Sequence, residues 1–218
     1  VRITLYDVWD NRGLPALLAR SAALDSALEG TFALSPAQAE RVHALLRAIG
    51  QVNSFDALYR LLGWEYVVQP DGTLSAFPDA AFDAIYSCNV LEHVRRATLP
   101  AYIGEMARVL APGGYTFHTI DLTDHLQAYA PKASPKEYLR FSDAEWRRRY
   151  ESRIAYFNRV QAPEWLRLFA DAGLELVEKE ALGQPLGDLP VAAEYAGLSR
   201  EELECRTLRV VYRQRGGA

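Results

Sequence analysis

Apolar and β-branched residues gather in six short stretches that predict β-strands, because they follow a two-residue repeat or form a short buried run. These stretches are Val1–Val8, Trp64–Val68, Phe82–Ser87, Tyr115–Ile120, Leu174–Glu180 and Cys205–Arg213. Between them, apolar residues recur every three to four positions, which predicts helices over Leu14–Leu28, Ser35–Leu62, Thr98–Leu110, a segment capped by Ser142 and a segment from Pro163. Strands that alternate with helices favour an α/β fold with a mostly parallel sheet.

Composition narrows the class of protein. A chain of 218 residues suits a single α/β domain. Its net charge of −4 gives no reason to expect nucleic acid as a partner. No apolar run approaches the length of a membrane span, so we expect a cytoplasmic protein with no membrane partner. Cys88 and Cys205 lack metal-ligand spacing, and we expect both to be buried free thiols.

Three motifs occur in a fixed order: FPDAAFD at residues 77–83, LEHV at 91–94 and RVLAPGG at 108–114. Together they resemble the class I S-adenosylmethionine-dependent methyltransferases. The resemblance implies a Rossmann-like sheet of seven strands, mostly parallel with an antiparallel last strand, and helices on both faces. It also implies S-adenosylmethionine as the cofactor.

The stretch Val1–Val8 has two possible places in such a sheet. As the first strand, it should lead into the glycine-rich cofactor loop, but only Gly13 falls at a glycine position and the side chains of residues 9–11 would obstruct the ligand. As the second strand, it ends in an acidic residue, Asp7. We favour the second placement, and therefore expect the central first strand to lie in an N-terminal segment that this sequence omits.

Two segments exceed what the family's core requires, and we interpret them as insertions within the single domain 1–218. The helical insertion covers about residues 14–62 and could cover the cofactor, form a homodimer surface or serve as scaffold. The second insertion, about residues 122–162, lies on the expected substrate side.

The resemblance assigns cofactor contacts to the ends of three strands. Asp7 would accept hydrogen bonds from the ribose hydroxyls, as in dinucleotide folds. Residues Asp71, Gly72, Thr73 and Leu74 would border the adenine, although an Asp-Gly turn without a ligand explains them equally well. Asn89 would contact the methionine end of the cofactor.

Glu92 and His93 resemble part of the E-x-x-EH site of quinone-precursor O-methyltransferases, which holds a divalent metal. Asn89 replaces the first acidic residue of that motif. We therefore prefer an architectural role for the pair and predict no metal site, while a divalent ion stays open as an alternative.

The densest group of reactive side chains is HTIDLTDH, which contains His118, Asp121, Asp124 and His125 at the end of a predicted strand. Catalytic groups of open α/β sheets gather at such ends. We predict His118, Asp121 and His125 as catalytic residues, with a histidine as general base and a carboxylate fixing its tautomer. Capping of the following turn by the aspartates is the structural alternative.

Tyr156, Asn158 and Arg159 are predicted to bind the substrate, and Arg159 could clamp an anion. The order HTIDLTDH, FS-x-x-x-W and YFNR resembles bacterial methyltransferases often placed with glycan or other small-molecule pathways. We therefore expect methylation of a hydroxyl on a sugar or other small molecule. A methyltransferase-like binding or scaffold protein without catalysis is the alternative.

Overall fold

The computed structural model describes residues 2–10, 12–128, 130, 132–151 and 156–216. Val1 of the predicted first strand, one residue of the following turn (position 11) and residues 129, 131 and 152–155 of the predicted insertion lie outside the described residues. The chain forms two compact units, Val1–Thr73 and Leu74–Ala218.

The first unit contains two parallel strands and three helices: β1 (Ile3–Asp7), α1 (Leu14–Thr31), α2 (Pro36–Ile49), α3 (Phe55–Leu62) and β2 (Trp64–Val68). Parallel strands need a long crossover connection, which the helices supply. The Ser35 side chain and Gln38 form a capping box at the start of α2. Gly63, with φ of +65°, ends α3 in the left-handed conformation that glycine favours.

The second unit is built on a mixed sheet of four strands. In chain order its strands and helices are β3 (Phe82–Cys88), α4 (Leu99–Val109), β4 (Leu110–Asp121), α5 (Asp143–Arg149), α6 (Ala162–Asp171), β5 (Leu174–Gly183), α7 (Arg200–Glu204) and β6 (Cys205–Gln214). Short 3₁₀ turns cover Leu91–His93, Arg96–Thr98, His125–Ala128, Glu137–Arg140 and Ala193–Tyr195. The strand order is β3-β4-β6-β5, with β3 parallel to β4 and β6 antiparallel to both of its neighbours.

All six predicted strands are present, and the antiparallel pairing of the last two is confirmed. The single continuous sheet is not seen, because the described strands form a pair and a separate group of four. Among the described residues, β1 pairs only with β2 and β3 only with β4, so each leaves one edge without a strand partner. Cys88 also differs from expectation: it is exposed, while Cys205 is buried.

The core of the second unit lies on one face of the sheet, where α4 and α6 pack. Along β4, Thr116, His118 and Ile120 are buried, and the alternate residues Tyr115 and Phe117 are exposed. Alternation is the two-residue repeat of a strand. Among the described residues, no helix is both long enough and apolar enough to cross a membrane.

Candidate active site

The carboxyl ends of β3 and β4 lie side by side in the second unit, because the two strands are parallel. Cys88 pairs with Thr119, and the Asn89 N–H donates to the Thr119 carbonyl at 2.9 Å. The turn after β3 carries Glu92 and His93, and the turn after β4 carries His125. The parallel register therefore brings residues from LEHV and HTIDLTDH to one edge of the sheet.

His125 lies at the centre of this edge. Its Nε2 atom is 3.8 Å from Asp121 Oδ2, and its ring centroid lies 5.1 Å from that of His93 and 4.9 Å from that of Phe157. The Asp121 carboxylate raises the pKa of His125, against the opposing effect of burial. The two residues thus bring an imidazole and a carboxylate close together at this edge.

Asp121 is held ionised by its neighbours. Burial alone would raise the pKa of Asp121, but His125 and Thr123 outweigh burial and lower the pKa to about 2. The Thr123 N–H donates to Asp121 Oδ1 at 2.8 Å, which leaves Oδ2 directed at His125. The carboxylate can therefore orient the His125 imidazole and stabilise its protonated form.

His93 presents a second imidazole at the same edge. Its Nδ1 atom lies 3.0 Å from the Tyr156 carbonyl oxygen. Because a carbonyl can only accept, Nδ1 carries the proton in neutral His93, and Nε2 has the lone pair. His93 is exposed, so this lone pair is accessible to solvent and to small molecules.

Glu92, adjacent to His93, is a buried carboxyl at 2% exposure. Among the described residues, no hydrogen bond of normal geometry reaches either of its carboxyl oxygens. Burial raises the pKa of Glu92 to about 7, and the nearby Asp121 carboxylate adds to that rise. Sequence reasoning missed this burial, although the apolar neighbours Leu91 and Val94 were a signal for it.

His118, the other predicted base, lies on the buried face of the sheet, and only 2% of it is exposed. Its Nδ1 atom is 2.8 Å from the Ser87 hydroxyl, and its ring stacks on Phe169 at 5.2 Å. Burial lowers the pKa of His118 to about 4, so the ring is neutral at neutral pH. Its position in the core separates it from the edge that holds His125.

Asp124 is also buried, and its backbone serves the turn that contains His125. The Asp124 N–H donates to the Pro135 carbonyl at 2.7 Å, and the Asp124 carbonyl accepts from the Gln127 N–H at 3.1 Å. These bonds start the 3₁₀ turn on which the His125 side chain is carried.

Asn158 connects the second insertion to the turn after β3. Its Nδ2 atom donates to the carbonyls of Leu91 and Val94 at 2.9 and 3.1 Å, and its N–H donates to the Glu92 carbonyl at 2.8 Å. These three bonds fix the backbone that carries Glu92 and His93. Asn158 is buried, so its side chain supports the edge of the sheet from within the protein.

Arg159 is buried as well, and its guanidinium faces groups of the protein. It forms an ion pair with Asp143, donates to the Tyr195 hydroxyl at 3.1 Å and lies over the Trp146 ring at 5.3 Å. Tyr156 is closer to the surface, and its hydroxyl accepts from the Arg96 N–H at 3.0 Å. Of the three predicted substrate residues, Tyr156 is therefore the most accessible.

A separate hydrophobic core holds the second insertion in place. It comprises Tyr138, Leu139, Trp146, Phe157, Leu186, Tyr195 and Leu203. Lys136, from the same segment of the chain, is fully buried. Its Nζ donates to Gln161 Oε1 at 2.9 Å and to the Cys205 carbonyl at 2.8 Å. Burial lowers the pKa of Lys136 to about 7. Since Phe157 belongs to this core and contacts His125, the insertion forms one wall of the site.

The predicted ribose and adenine residues belong mainly to the first unit. Asp7 ends β1, where its Oδ1 accepts from the Val8 N–H at 2.8 Å and its Oδ2 accepts a long bond of 3.5 Å from the Tyr66 hydroxyl. Asp71 Oδ1 accepts from the Thr73 N–H and hydroxyl, each at 3.1 Å, and Gly72 has φ of +69°. The turn after β2 is therefore a closed Asp-Gly turn.

The two remaining cofactor candidates lie in the second unit. Leu74 is buried, and its carbonyl accepts from Arg108 at 3.2 Å. Asn89 is exposed and has φ of +53°, a left-handed conformation that asparagine tolerates better than most residues. This conformation turns the chain out of β3 and leaves the amide accessible at the strand end.

Within the described ranges, no group of three or more His, Cys, Asp or Glu side chains is arranged to hold a metal ion. The Glu92 carboxyl is buried and the His93 ring is exposed, so the two adjacent side chains do not converge.

A family profile described as a methyltransferase domain matches residues 27–179, which is more than half of the chain. No curated protein shows a significant sequence match.

The chain is also similar to solved structures of methyltransferases. An S-adenosylmethionine-dependent methyltransferase from Methanosarcina mazei is 15% identical, with 99% of this chain and 83% of that chain covered and a TM-score of 0.50. A methyltransferase from Mesorhizobium loti is 16% identical, with 97% and 90% covered and a TM-score of 0.45. The 1,6-didemethyltoxoflavin-N1-methyltransferase of Burkholderia thailandensis, solved with bound 1,6-didemethyltoxoflavin and S-adenosylhomocysteine, is 17% identical, with 95% and 81% covered and a TM-score of 0.44.

The fold and the family profile place the protein in the α/β methyltransferase class. The chain belongs to the methyltransferase domain family, whose members use S-adenosylmethionine as methyl donor.

Proposed function

We propose that this protein methylates a hydroxyl group of a sugar or other small-molecule acceptor, with His125 as the general base. The observation that carries the proposal is the His125–Asp121 pair at the carboxyl end of β4. It combines an accessible imidazole, an ionised carboxylate at 3.8 Å and a wall formed by His93 and Phe157.

The proton path follows from the orientation of His125. Its Nε2–H faces the Asp121 carboxylate, which favours the tautomer with a lone pair on Nδ1. Nδ1 can then accept the proton of the acceptor hydroxyl as its oxygen bonds to the methyl group. Asp121 stabilises the imidazolium that forms, and bulk solvent removes the proton afterwards. His93, with its Nε2 lone pair, can orient the same hydroxyl.

S-adenosylmethionine supplies an electrophilic methyl group on a sulfonium and is left as the neutral thioether. Within each unit, described groups have chemistry that suits one part of this cofactor. The Asp7 carboxylate suits the two ribose hydroxyls, since among the described residues one of its oxygens makes only a long bond. The exposed Asn89 amide can both donate and accept at the amino-acid end. The turn Asp71–Leu74 would border the adenine.

The test combines binding with transfer. Calorimetry with S-adenosylhomocysteine measures the cofactor site, and label transfer from methyl-labelled S-adenosylmethionine to a panel of sugars, phenols and alcohols measures the activity. Asp121→Asn should lower the transfer rate by about 10²- to 10⁴-fold, because the His125 tautomer and imidazolium lose their partner. Binding of S-adenosylhomocysteine should be unchanged in this variant.

Glu178→Gln, which changes a carboxylate to an amide at an exposed position on β5, is the matched control. Absence of binding at millimolar S-adenosylhomocysteine would overturn the enzyme assignment and favour the non-catalytic binding module. Full activity of Asp121→Asn would remove the His125–Asp121 pair from the mechanism.

A further inference from the structure

A groove of about 360 Å³ opens beside the candidate base in the second unit. Tyr156 and Phe157 line it and also belong to the active edge, because the Tyr156 carbonyl accepts from His93 and the Phe157 ring contacts His125. The groove is therefore lined by two residues that contact the histidines of the active edge.

The groove is lined by four arginines, Arg95, Arg96, Arg147 and Arg159, and by two carboxylates, Asp143 and Glu151. This excess of positive charge contrasts with the chain as a whole, which carries a net charge of −4. A local excess of one sign of charge in a concave surface concentrates ligands of the opposite sign.

Two of the four arginines are neutralised by the fold. Arg96 forms a bidentate pair with Glu164, with distances of 3.1 and 2.6 Å. Arg159 pairs with Asp143 and is buried. Their charges therefore contribute little to binding a ligand.

The charges of the other two arginines are less fully neutralised by carboxylates. Arg147 lies 3.5 Å from Asp143, a carboxylate that it shares with Arg159, and its side chain is largely exposed. Arg95 is stacked over the Tyr156 ring at 5.2 Å and has no carboxylate partner among the described residues. Stacking holds the guanidinium in one orientation, which lowers the entropy cost of binding an oxyanion.

We propose that this groove binds an anionic group of the methyl acceptor, a carboxylate or a phosphate ester, through Arg95 and Arg147. The inference rests on the proposed function, because it places the acceptor's hydroxyl beside His125. Arg95 and Arg147 are binding residues in this arrangement. They select acceptors that carry a negative charge at one end and a hydroxyl at the other.

The experiment measures anion binding without any turnover. The protein is titrated with inorganic phosphate, and separately with acetate, at constant ionic strength, while the Nε–Hε signals of the arginine side chains are followed by NMR. We expect a saturable shift of the Arg95 signal, which Arg95→Lys identifies by its loss. Saturation by phosphate alone indicates a phosphate ester, saturation by acetate alone indicates a carboxylate, and both results support the site.

Arg95→Gln should weaken the affinity for the saturating anion by about tenfold, because a charged hydrogen bond is lost. Arg148→Gln is the matched control. Arg148 belongs to α5 and does not line the groove, and this substitution removes one positive charge as Arg95→Gln does. The absence of saturation with both anions, or an equal loss in Arg148→Gln, would overturn the proposal.

Calorimetry with S-adenosylhomocysteine on the same samples separates the two proposals. Anion binding without S-adenosylhomocysteine binding would sink the proposed function and keep the groove as an anion site. The reverse result would keep the methyltransferase function and remove the anionic acceptor.

Discussion

His118 and His125 lie seven positions apart on one segment, yet their environments differ in every respect that matters for chemistry. His118 is buried between the sheet and α6, hydrogen-bonded to Ser87 and stacked on Phe169. His125 lies beyond the strand end, beside an ionised carboxylate and against Phe157, which lines the groove. Burial lowers the pKa of the first histidine, and the Asp121 carboxylate raises the pKa of the second. His118, within β4, is thus a core residue, whereas His125, beyond the end of β4, is a candidate base.

The largest effect expected from this contrast is on catalysis. His125→Ala should lower the rate of methyl transfer by about 10²- to 10⁴-fold, because the general base is removed. Its free energy of unfolding should change by less than about 1 kcal/mol, since the side chain is partly exposed. Steady-state kinetics and urea unfolding measure the two quantities. A variant with unaltered rate would place the base elsewhere, and His93→Ala would then be the next test.

His118→Ala should show the opposite pattern. Removing this buried ring leaves a cavity against Phe169 and a Ser87 hydroxyl without its partner, so the free energy of unfolding should fall by about 2–4 kcal/mol. The rate per folded molecule should stay close to that of the wild type. Urea unfolding together with activity normalised to the folded fraction provides the measurement. Loss of activity in a variant of normal stability would contradict the core role of His118.

A smaller effect concerns Glu92, which is buried like His118 but has Asp121 and His125 as charged neighbours. Its folded pKa of about 7 exceeds the ordinary value of 4.5. From about pH 4.5 to 7 the unfolded chain therefore releases a proton that the folded protein retains, and stability falls as pH rises through this window. The total is at most about 3 kcal/mol. Glu92→Gln should remove this loss, which urea unfolding at a series of pH values would reveal.

The comparison for Glu92→Gln is the difference from the wild type at each pH. Asp121 and His125 face the Glu92 carboxyl and are present in both proteins, so their own titration largely cancels in that difference. Glu178→Gln, at an exposed position on β5, is the control for removing one carboxylate. An unchanged pH profile in Glu92→Gln would show that Glu92 is ionised in the folded protein.

Local signals in the sequence predicted most of the secondary structure. The apolar run Trp64–Val68 became β2 with the same bounds, and the serine at position 142 caps α5 with Glu145 as its pattern indicates. Such features depend on neighbouring residues alone, and so the sequence displays them directly.

The roles within HTIDLTDH were harder to predict, because both faces of β4 carry apolar and polar residues. Thr116, His118 and Ile120 point into the core, whereas the more apolar pair Tyr115 and Phe117 points outward. Only packing against α6 decides between the faces. The side chains that surround Arg95 and Glu92 likewise come from distant segments, which the spacing of residues does not specify.

The position of β6 has a consequence for how the second unit is assembled during synthesis. Of the six described strands β6 comes last in the chain, yet it lies between β4 and β5 and hydrogen-bonds to both. As the chain leaves the ribosome, β5 therefore has no strand to join until Cys205–Gln214 has emerged. The Lys136 ammonium likewise cannot complete its hydrogen bonds before then, because one of its acceptors is the Cys205 carbonyl. The wall beside His125 is thus completed only after the last strand inserts, although every side chain in it was made earlier.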